Sequence, residues 1–252
     1  MDQTPLERGI AEDRVLGARI RLLQATGGYR AGLDAALLAA ACDARPGERV
    51  LDAGCGVGGA LLAAAWRRPE SRFLGLERDA QAAELARRNV LLNEMQARVR
   101  IVEGDIGKGF RALGLGVFDC AISNPPFFDD PSQLRGPAPE RAGAYLAEAG
   151  ISGWCEFLTR SVREGGRIIL VHRADRLADI LAALAPKAGS IQIRPVQPFA
   201  DEPAKRVLVR AVKTGKAPLI LLPALVLHER GGAKHAPQAE AILRGEAAVE
   251  WR

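Results

Sequence analysis

A glycine-rich segment that joins a short apolar run to an alanine- and leucine-rich run constrains the fold of this chain most. The segment covers residues 50–59 and reads Val-Leu-Asp-Ala-Gly-Cys-Gly-Val-Gly-Gly. At a turn from a strand into a helix, glycines allow a ligand to lie against the backbone, because no side chain blocks it. The pattern predicts a strand at 50–51, a ligand-binding turn and a helix over 58–67.

Apolar and amphipathic runs alternate along the rest of the chain and predict an α/β fold. The predicted strands lie at 50–51, 72–76, 99–102, 118–122, 167–171, 191–196 and 206–212. The predicted helices lie at 34–42, 58–67, 79–93, 151–163, 174–184 and 237–244. This alternation is typical of a mostly parallel sheet with helices on both faces. The last two strands have no helix between them, so we expect them to form an antiparallel pair.

Three further segments complete the predicted organisation. Residues 13–24 are expected to form a strand pair or hairpin, and 219–227 to add a short strand. Residues 129–141 hold three prolines and five charged residues, which favours a long surface loop.

Acidic residues follow two later strands, where a bound nucleoside would lie. Glu77 ends the strand after the glycine turn, and a carboxylate about 20 residues beyond such glycines accepts hydrogen bonds from ribose hydroxyls. Asp105, followed by Ile106, comes after the next strand, where its carboxylate can accept a hydrogen bond from an adenine amino group. Together with Asp52, these acids are expected at the carboxyl edge of the sheet.

The glycine turn alone leaves the ligand open. Gly54, Gly56 and Gly59 fit the G-x-G-x-x-G pattern of dinucleotide sites. Gly54, Gly56 and Gly58, after the acidic Asp52, fit equally well a turn that binds S-adenosylmethionine.

The segment Asn124-Pro125-Pro126-Phe127 at the end of a predicted strand decides between these ligands. Two consecutive prolines fix two φ angles and remove two donors, which leaves a rigid corner that offers only acceptors. The Asn124 side-chain oxygen and the Pro125 carbonyl suit the two N–H bonds of a planar amino group. Such bonds, made out of the plane, direct the nitrogen lone pair at an electrophilic methyl group. Phe127 supplies a ring on which a base can stack.

In this order, these motifs resemble those of the class I S-adenosylmethionine-dependent methyltransferases that act on amino groups. The N-terminal Gln24, Gly28-Tyr29-Arg30 and Asp34, and the C-terminal segment 237–245, further resemble the bacterial tRNA(Val) adenine-N6 methyltransferases. Phe127 stands where that family usually has Tyr. Some enzymes that methylate guanine N2 in ribosomal RNA also have Phe at this position.

The resemblance implies a Rossmann-like, mostly parallel sheet of seven strands that ends in an antiparallel hairpin. It implies a single domain over 1–252, in which 1–45 form a hairpin and helix that cover the cofactor. The implied cofactor-binding residues are Tyr29, Arg30, Asp52, Gly54, Gly56, Glu77, Asp105 and Ile106. Arg30 is expected near the methionine carboxylate. The implied catalytic residues are Asn124, Pro125, Pro126 and Phe127.

Composition restricts the partners of the chain. The net charge of +5 permits a nucleic acid, and tRNA is the expected substrate. Its four cysteines form no Cys-x-x-Cys pair and its three histidines lack the spacing of zinc ligands, so we expect no metal. The sequence shows neither a membrane-spanning apolar run nor a secretory signal, so we expect a cytoplasmic protein, and a monomer.

Several alternatives to tRNA adenine methylation remain open. Within the same enzyme class, the substrate could be guanine N2 of ribosomal RNA, adenine of DNA or the glutamine amide of a release factor. More remote alternatives are an oxidoreductase that binds NAD and a non-catalytic adaptor.

Overall fold

The computed structural model describes residues 9–26, 32–126 and 141–251, and only the backbone of 141–149. The strands are β1 (Ile10–Val15), β2 (Ile20–Ala25), β3 (Arg49–Ala53), β4 (Arg72–Glu77), β5 (Val99–Glu103), β6 (Phe118–Ser123), β7 (Val162–Arg173), β8 (Ala188–Gln197), β9 (Arg206–Lys213), β10 (Ile220–Leu221) and β11 (Leu225–Val226). The helices are α1 (Leu33–Ala41), α2 (Gly59–Arg67), α3 (Ala80–Leu92), α4 (Arg141–Ser161), α5 (Leu177–Leu184) and α6 (Pro237–Arg244).

One mixed sheet forms the centre of the protein, with the strand order β10-β8-β9-β7-β6-β3-β4-β5. Strands β7, β6, β3, β4 and β5 run parallel to one another, whereas β9 lies antiparallel between β7 and β8. This confirms the predicted class I methyltransferase fold and its closing antiparallel pair. The sheet has two more strands than the predicted seven, because β10 and β11 each add two residues beside β8.

Buried side chains cover both faces of the sheet, as expected for a parallel sheet between two helical layers. One core joins α1 and α2 to one face through residues such as Leu38, Leu62 and Val50. The other joins α4 and α5 to the opposite face through Leu158, Leu184 and similar residues. None of the helices in the described part of the chain is long and apolar enough to cross a membrane.

Most other element ends lie within three residues of the prediction, and three boundaries differ in a way that changes the element. Helix α4 begins ten residues before the predicted start at 151, and Gly150 (φ 54°, ψ −140°) interrupts it. The last two residues of the helix predicted at 151–163 instead begin β7, because Val162 pairs with Phe118 of β6. Residues 174–176 form a separate 3₁₀ turn before α5. Except for Arg141, where α4 begins, the loop predicted at 129–141 lies outside the described residues.

Candidate active site

The glycine turn lies at the edge where the carboxyl ends of β3, β4 and β6 meet. The amides of Gly54 and Cys55 both donate to the Leu76 carbonyl, at 2.8 and 3.0 Å, which fixes the turn to β4. Gly54 has φ 74°, and a Cβ there would lie 2.9 Å from the Trp154 ring. Gly56 has φ 54°, but a Cβ there would meet nothing within 4 Å. The turn is therefore packed from below at Gly54 and open at Gly56, where a ligand can approach the backbone.

Glu77 joins this turn to the next one. Its Oε2 accepts a hydrogen bond from the Gly56 amide at 2.8 Å. Its Oε1 accepts hydrogen bonds from the amides of Arg78 and Asp79, at 2.7 and 2.9 Å. A carboxylate has about four lone-pair positions, so these three bonds orient Glu77 without filling it. The contact of Glu77 with ribose hydroxyls remains a prediction, and the three amides hold the carboxylate beside the glycine turn, where that contact is expected.

Asp52 is almost fully buried beneath the turn, with a relative exposure of 1%. Burial raises the pKa of Asp52 to about 8, and the charge of Glu77 raises it further, whereas the Leu61 amide lowers it. Its Oδ2 atom has no hydrogen-bond partner among the described residues. A buried carboxyl oxygen without a partner is costly in the protein alone, which makes Asp52 a candidate hydrogen-bond partner for a polar group on the ligand.

Asp105 and Ile106 lie beyond the end of β5, as predicted, but each also has a structural role. The Asp105 Oδ1 accepts a hydrogen bond from the Gly107 amide at 2.8 Å and so begins the 3₁₀ turn Ile106–Lys108. Ile106 is buried, and its side chain belongs to the core on the α4 side. The contact of Ile106 with the cofactor remains a prediction, and in the structure its side chain contributes to this core.

The Asn-Pro-Pro corner directly follows the buried end of β6. Asn124 is half-buried and Pro125 is buried. The preceding Ser123 donates through its hydroxyl to the Ala53 carbonyl at 2.7 Å. It accepts a hydrogen bond from Trp154 Nε1, also at 2.7 Å. Because Ala53 directly precedes the glycine turn, these bonds hold the corner and the turn in one relative position.

Sequence reasoning missed Ser123 and Trp154, as well as a second link at Asn89. Asn89 is fully buried in α3. Its Oδ1 accepts a hydrogen bond from the Leu23 amide at 2.7 Å, and its Nδ2 donates to the carbonyls of Leu23 and Val57 at 3.0 and 2.9 Å. It thus attaches β2 to the glycine turn. An asparagine at an otherwise apolar helix position was the only signal in the sequence.

The remaining predicted site residues, Tyr29, Arg30 and Phe127, lie outside the described residues. Burial raises the pKa of Cys55, inside the turn, well above its usual range, which disfavours the thiolate that a nucleophilic cysteine needs. In the part of the chain that the structure describes, no cluster of three or more His, Cys, Asp or Glu residues is arranged to hold a metal ion.

Comparison of the sequence with known families and proteins identifies methyltransferases. The family model "Methyltransferase small domain" matches residues 29–150. A tRNA1(Val) (adenine(37)-N6)-methyltransferase of Porphyromonas gingivalis is 33% identical over 187 residues, which are 71% of this chain and 72% of that protein. A release factor glutamine methyltransferase of Chlorobaculum tepidum is 26% identical over 167 residues, 62% of this chain and 56% of that protein.

Solved structures with the same fold are also methyltransferases. The crystal structure of a predicted O-methyltransferase from Agrobacterium tumefaciens has a TM-score of 0.72 and 28% identity, and the match covers 86% of this chain and 98% of that one. A class I S-adenosylmethionine-dependent methyltransferase from Listeria monocytogenes, described as putative, has a TM-score of 0.56 and 15% identity, over 84% and 68% of the two chains. The second match shows the fold alone.

Proposed function

Since the chain belongs to the bacterial tRNA(Val) adenine-N6 methyltransferase family, we propose that it methylates N6 of an adenine in tRNA with S-adenosylmethionine as the methyl donor. The observation that carries this proposal is the Asn-Pro-Pro corner beside an open glycine turn. A corner that offers two acceptors, the Asn124 side-chain oxygen and the Pro125 carbonyl, suits an amino group, and the adenine N6 carries two N–H bonds.

The residues at this edge fit the cofactor. The space at Gly56 can accept a nucleoside against the backbone, and the unpaired Oδ2 of Asp52 can form a hydrogen bond with a polar group of the cofactor. We propose that Glu77 binds the ribose hydroxyls and Asp105 the adenine of the cofactor. Tyr29 and Arg30 are proposed to cover it. When bound, S-adenosylmethionine supplies an electrophilic methyl group on a positively charged sulfur.

Catalysis in this proposal consists mainly of positioning. The Asn124 side-chain oxygen and the Pro125 carbonyl accept hydrogen bonds from the target amine and orient its lone pair. Phe127 stacks on the base, which has to leave its own stack in the RNA to reach the corner. No side chain has to remove the proton before transfer, since the methylated amine can release it to water afterwards. A tRNA substrate places the reaction in the cytoplasm, where we propose that the chain acts as a monomer.

The first experiment identifies the methylated product. The purified protein is incubated with methyl-labelled S-adenosylmethionine and total tRNA from a strain that lacks the gene, and labelled nucleosides are identified by mass spectrometry. We expect N6-methyladenosine. A labelled N2-methylguanosine would move the substrate to another base, and a methylated glutamine in a release factor would exclude the nucleic-acid substrate altogether.

The second experiment tests the role of the corner. Asn124→Ala removes one acceptor of the amine but touches no proposed cofactor contact. We expect methyl transfer to fall below detection while the affinity for S-adenosylmethionine changes by no more than a few fold. An equal loss of transfer and of cofactor affinity would contradict the proposed role of Asn124.

A further inference from the structure

A cavity opens at the edge of the sheet opposite the candidate active site, near the start of β7 and the end of β9. Its volume is about 390 Å³. Its lining residues are Phe110, Arg111, Thr159, Arg160, Lys187 and Lys213. The floor is formed by the buried residues Phe110 and Thr159, and the four other residues are cations. We call these four cations and their floor the basic cavity.

The basic cavity carries an excess of positive charge that its ion pairs with described residues do not neutralise. Arg160 pairs with Glu156 at 2.5 Å, and Lys187 lies 4.0 Å from the same carboxylate. Lys213 pairs with Glu164 at 3.3 Å. Arg111 is exposed, and its side chain forms no hydrogen bond or ion pair with any described residue. Four cations thus face two carboxylates, Glu156 and Glu164. The difference is a local charge of +2, which an anionic ligand can neutralise.

Helix α4 connects the basic cavity with the candidate active site along one face of the sheet. Trp154 lies beneath the glycine turn, and Arg160 lines the basic cavity six residues later. At about 1.5 Å per residue, the two positions are separated by roughly 9 Å along the helix axis. Because nucleic acids carry phosphates at short, regular intervals, an RNA that lies along this face can reach both places.

Helix termini alone account for only part of the cluster. Arg160 lies in the last turn of α4 and Lys187 follows the end of α5, where cations stabilise the helix dipole. Arg111 has no such role, because it belongs to the short 3₁₀ turn Phe110–Leu113. Lys213 ends strand β9. These two cations join the others from separate elements, and only the cavity is common to all four.

We propose that the basic cavity binds a backbone phosphate of the substrate RNA and that Arg111 is its main exposed contact. The inference rests on the proposed function in so far as the substrate is an RNA. It adds a place where that RNA is held away from the reacting base. Contacts to phosphates fix position without reading sequence, so the basic cavity contributes affinity rather than choice of base.

The test compares Arg111→Gln with a matched control, Arg72→Gln. Arg72 is an exposed arginine at the start of β4, on the same edge but two strands away from β6. The affinity of both full-length variants for labelled tRNA is measured over a series of salt concentrations. For Arg111→Gln we expect the Kd to rise roughly fivefold and the slope of log K against log salt to fall by about one. The control should match the unsubstituted protein, and neither variant should change the affinity for S-adenosylmethionine.

The outcomes separate this inference from the proposed function. If the unsubstituted protein methylates tRNA and Arg111→Gln retains its tRNA affinity and salt slope, the RNA assignment of the basic cavity is wrong. If, in addition, inorganic phosphate raises the Tm of the unsubstituted protein but not of Arg111→Gln, the basic cavity binds a free phosphate compound instead. If the unsubstituted protein methylates ribosomal RNA rather than tRNA, the proposed substrate fails, and the same comparison is made with that RNA.

Discussion

Ser123→Ala is expected to impair both stability and catalysis, because this hydroxyl links the Asn-Pro-Pro corner to the glycine turn. Ser123 is fully buried and takes part in two hydrogen bonds, with the Ala53 carbonyl and with Trp154 Nε1, each of 2.7 Å. Its removal leaves the indole N–H without that acceptor in a site that water does not reach. The loss of a hydrogen-bond partner at a buried polar group costs about 1–3 kcal/mol. We expect the free energy of unfolding to fall by about 2 kcal/mol.

The catalytic effect follows from the position of Asn124, the next residue in the chain. A displacement of about 1 Å in a reacting group can cost roughly 100-fold in rate. We therefore expect Ser123→Ala to lower kcat by roughly 10-fold to 100-fold. The Gly54 amide still donates to the Leu76 carbonyl, so the affinity for S-adenosylmethionine should change by no more than a few fold. Urea unfolding and steady-state kinetics measure the two effects.

Ser161→Ala is the matched control, because Ser161 is also fully buried and donates to the Leu158 carbonyl at 2.8 Å. It should lower stability by about 1 kcal/mol and leave kcat unchanged. Trp154→Phe completes a double-mutant cycle with Ser123→Ala, in which the two losses should overlap by about 1 kcal/mol, since the variants remove one shared hydrogen bond. Additive losses of stability would show that the two side chains are not coupled, and a kcat of Ser123→Ala equal to that of the control would refute the positioning role.

Two further predictions concern buried polar groups. Burial raises the pKa of Asp52 to about 8, above its unfolded value, so the folded protein keeps a proton that the unfolded chain has lost, and stability should fall as the pH rises towards 8. Burial lowers the pKa of His172 to about 4, and this shift acts in the opposite direction only below pH 6.5. Between pH 6.5 and 8, Asp52→Asn should therefore remove a decrease in the free energy of unfolding of about 1.4 kcal/mol per pH unit, which urea unfolding measures. Equal slopes for both proteins would contradict the raised pKa of Asp52. Asn89→Ala should lower the free energy of unfolding by about 3 kcal/mol and speed hydrogen exchange at the Leu23 amide. The reason is that, among the described residues, Asn89 is the only side chain that joins Leu23 to Val57. Unchanged exchange would show that β2 is held in place by other contacts.

Local patterns predicted most of the fold because they act over a few residues. The strand before Gly54 and the helix after Gly58 follow from an apolar run, a turn that only glycine adopts easily and an amphipathic run. The boundaries that differ depend on neighbours. Val162 continues a strand rather than a helix because it pairs with Phe118, and the two-residue strands beside β8 exist only through their partner.

The candidate site divides in the same way. By itself, the sequence determined which chemical groups lie at strand ends, from Asp52 and Glu77 to the acceptors of Asn124 and Pro125, because their order and spacing along the chain place them there. Only the tertiary structure decided what holds these groups and how they ionise. Trp154 reaches Ser123 across 31 residues and Asn89 reaches Leu23 across 66, and no periodicity records such pairs. The raised pKa of Asp52 depends on the protein that surrounds it, because the cost of desolvation arises only once the chain has folded.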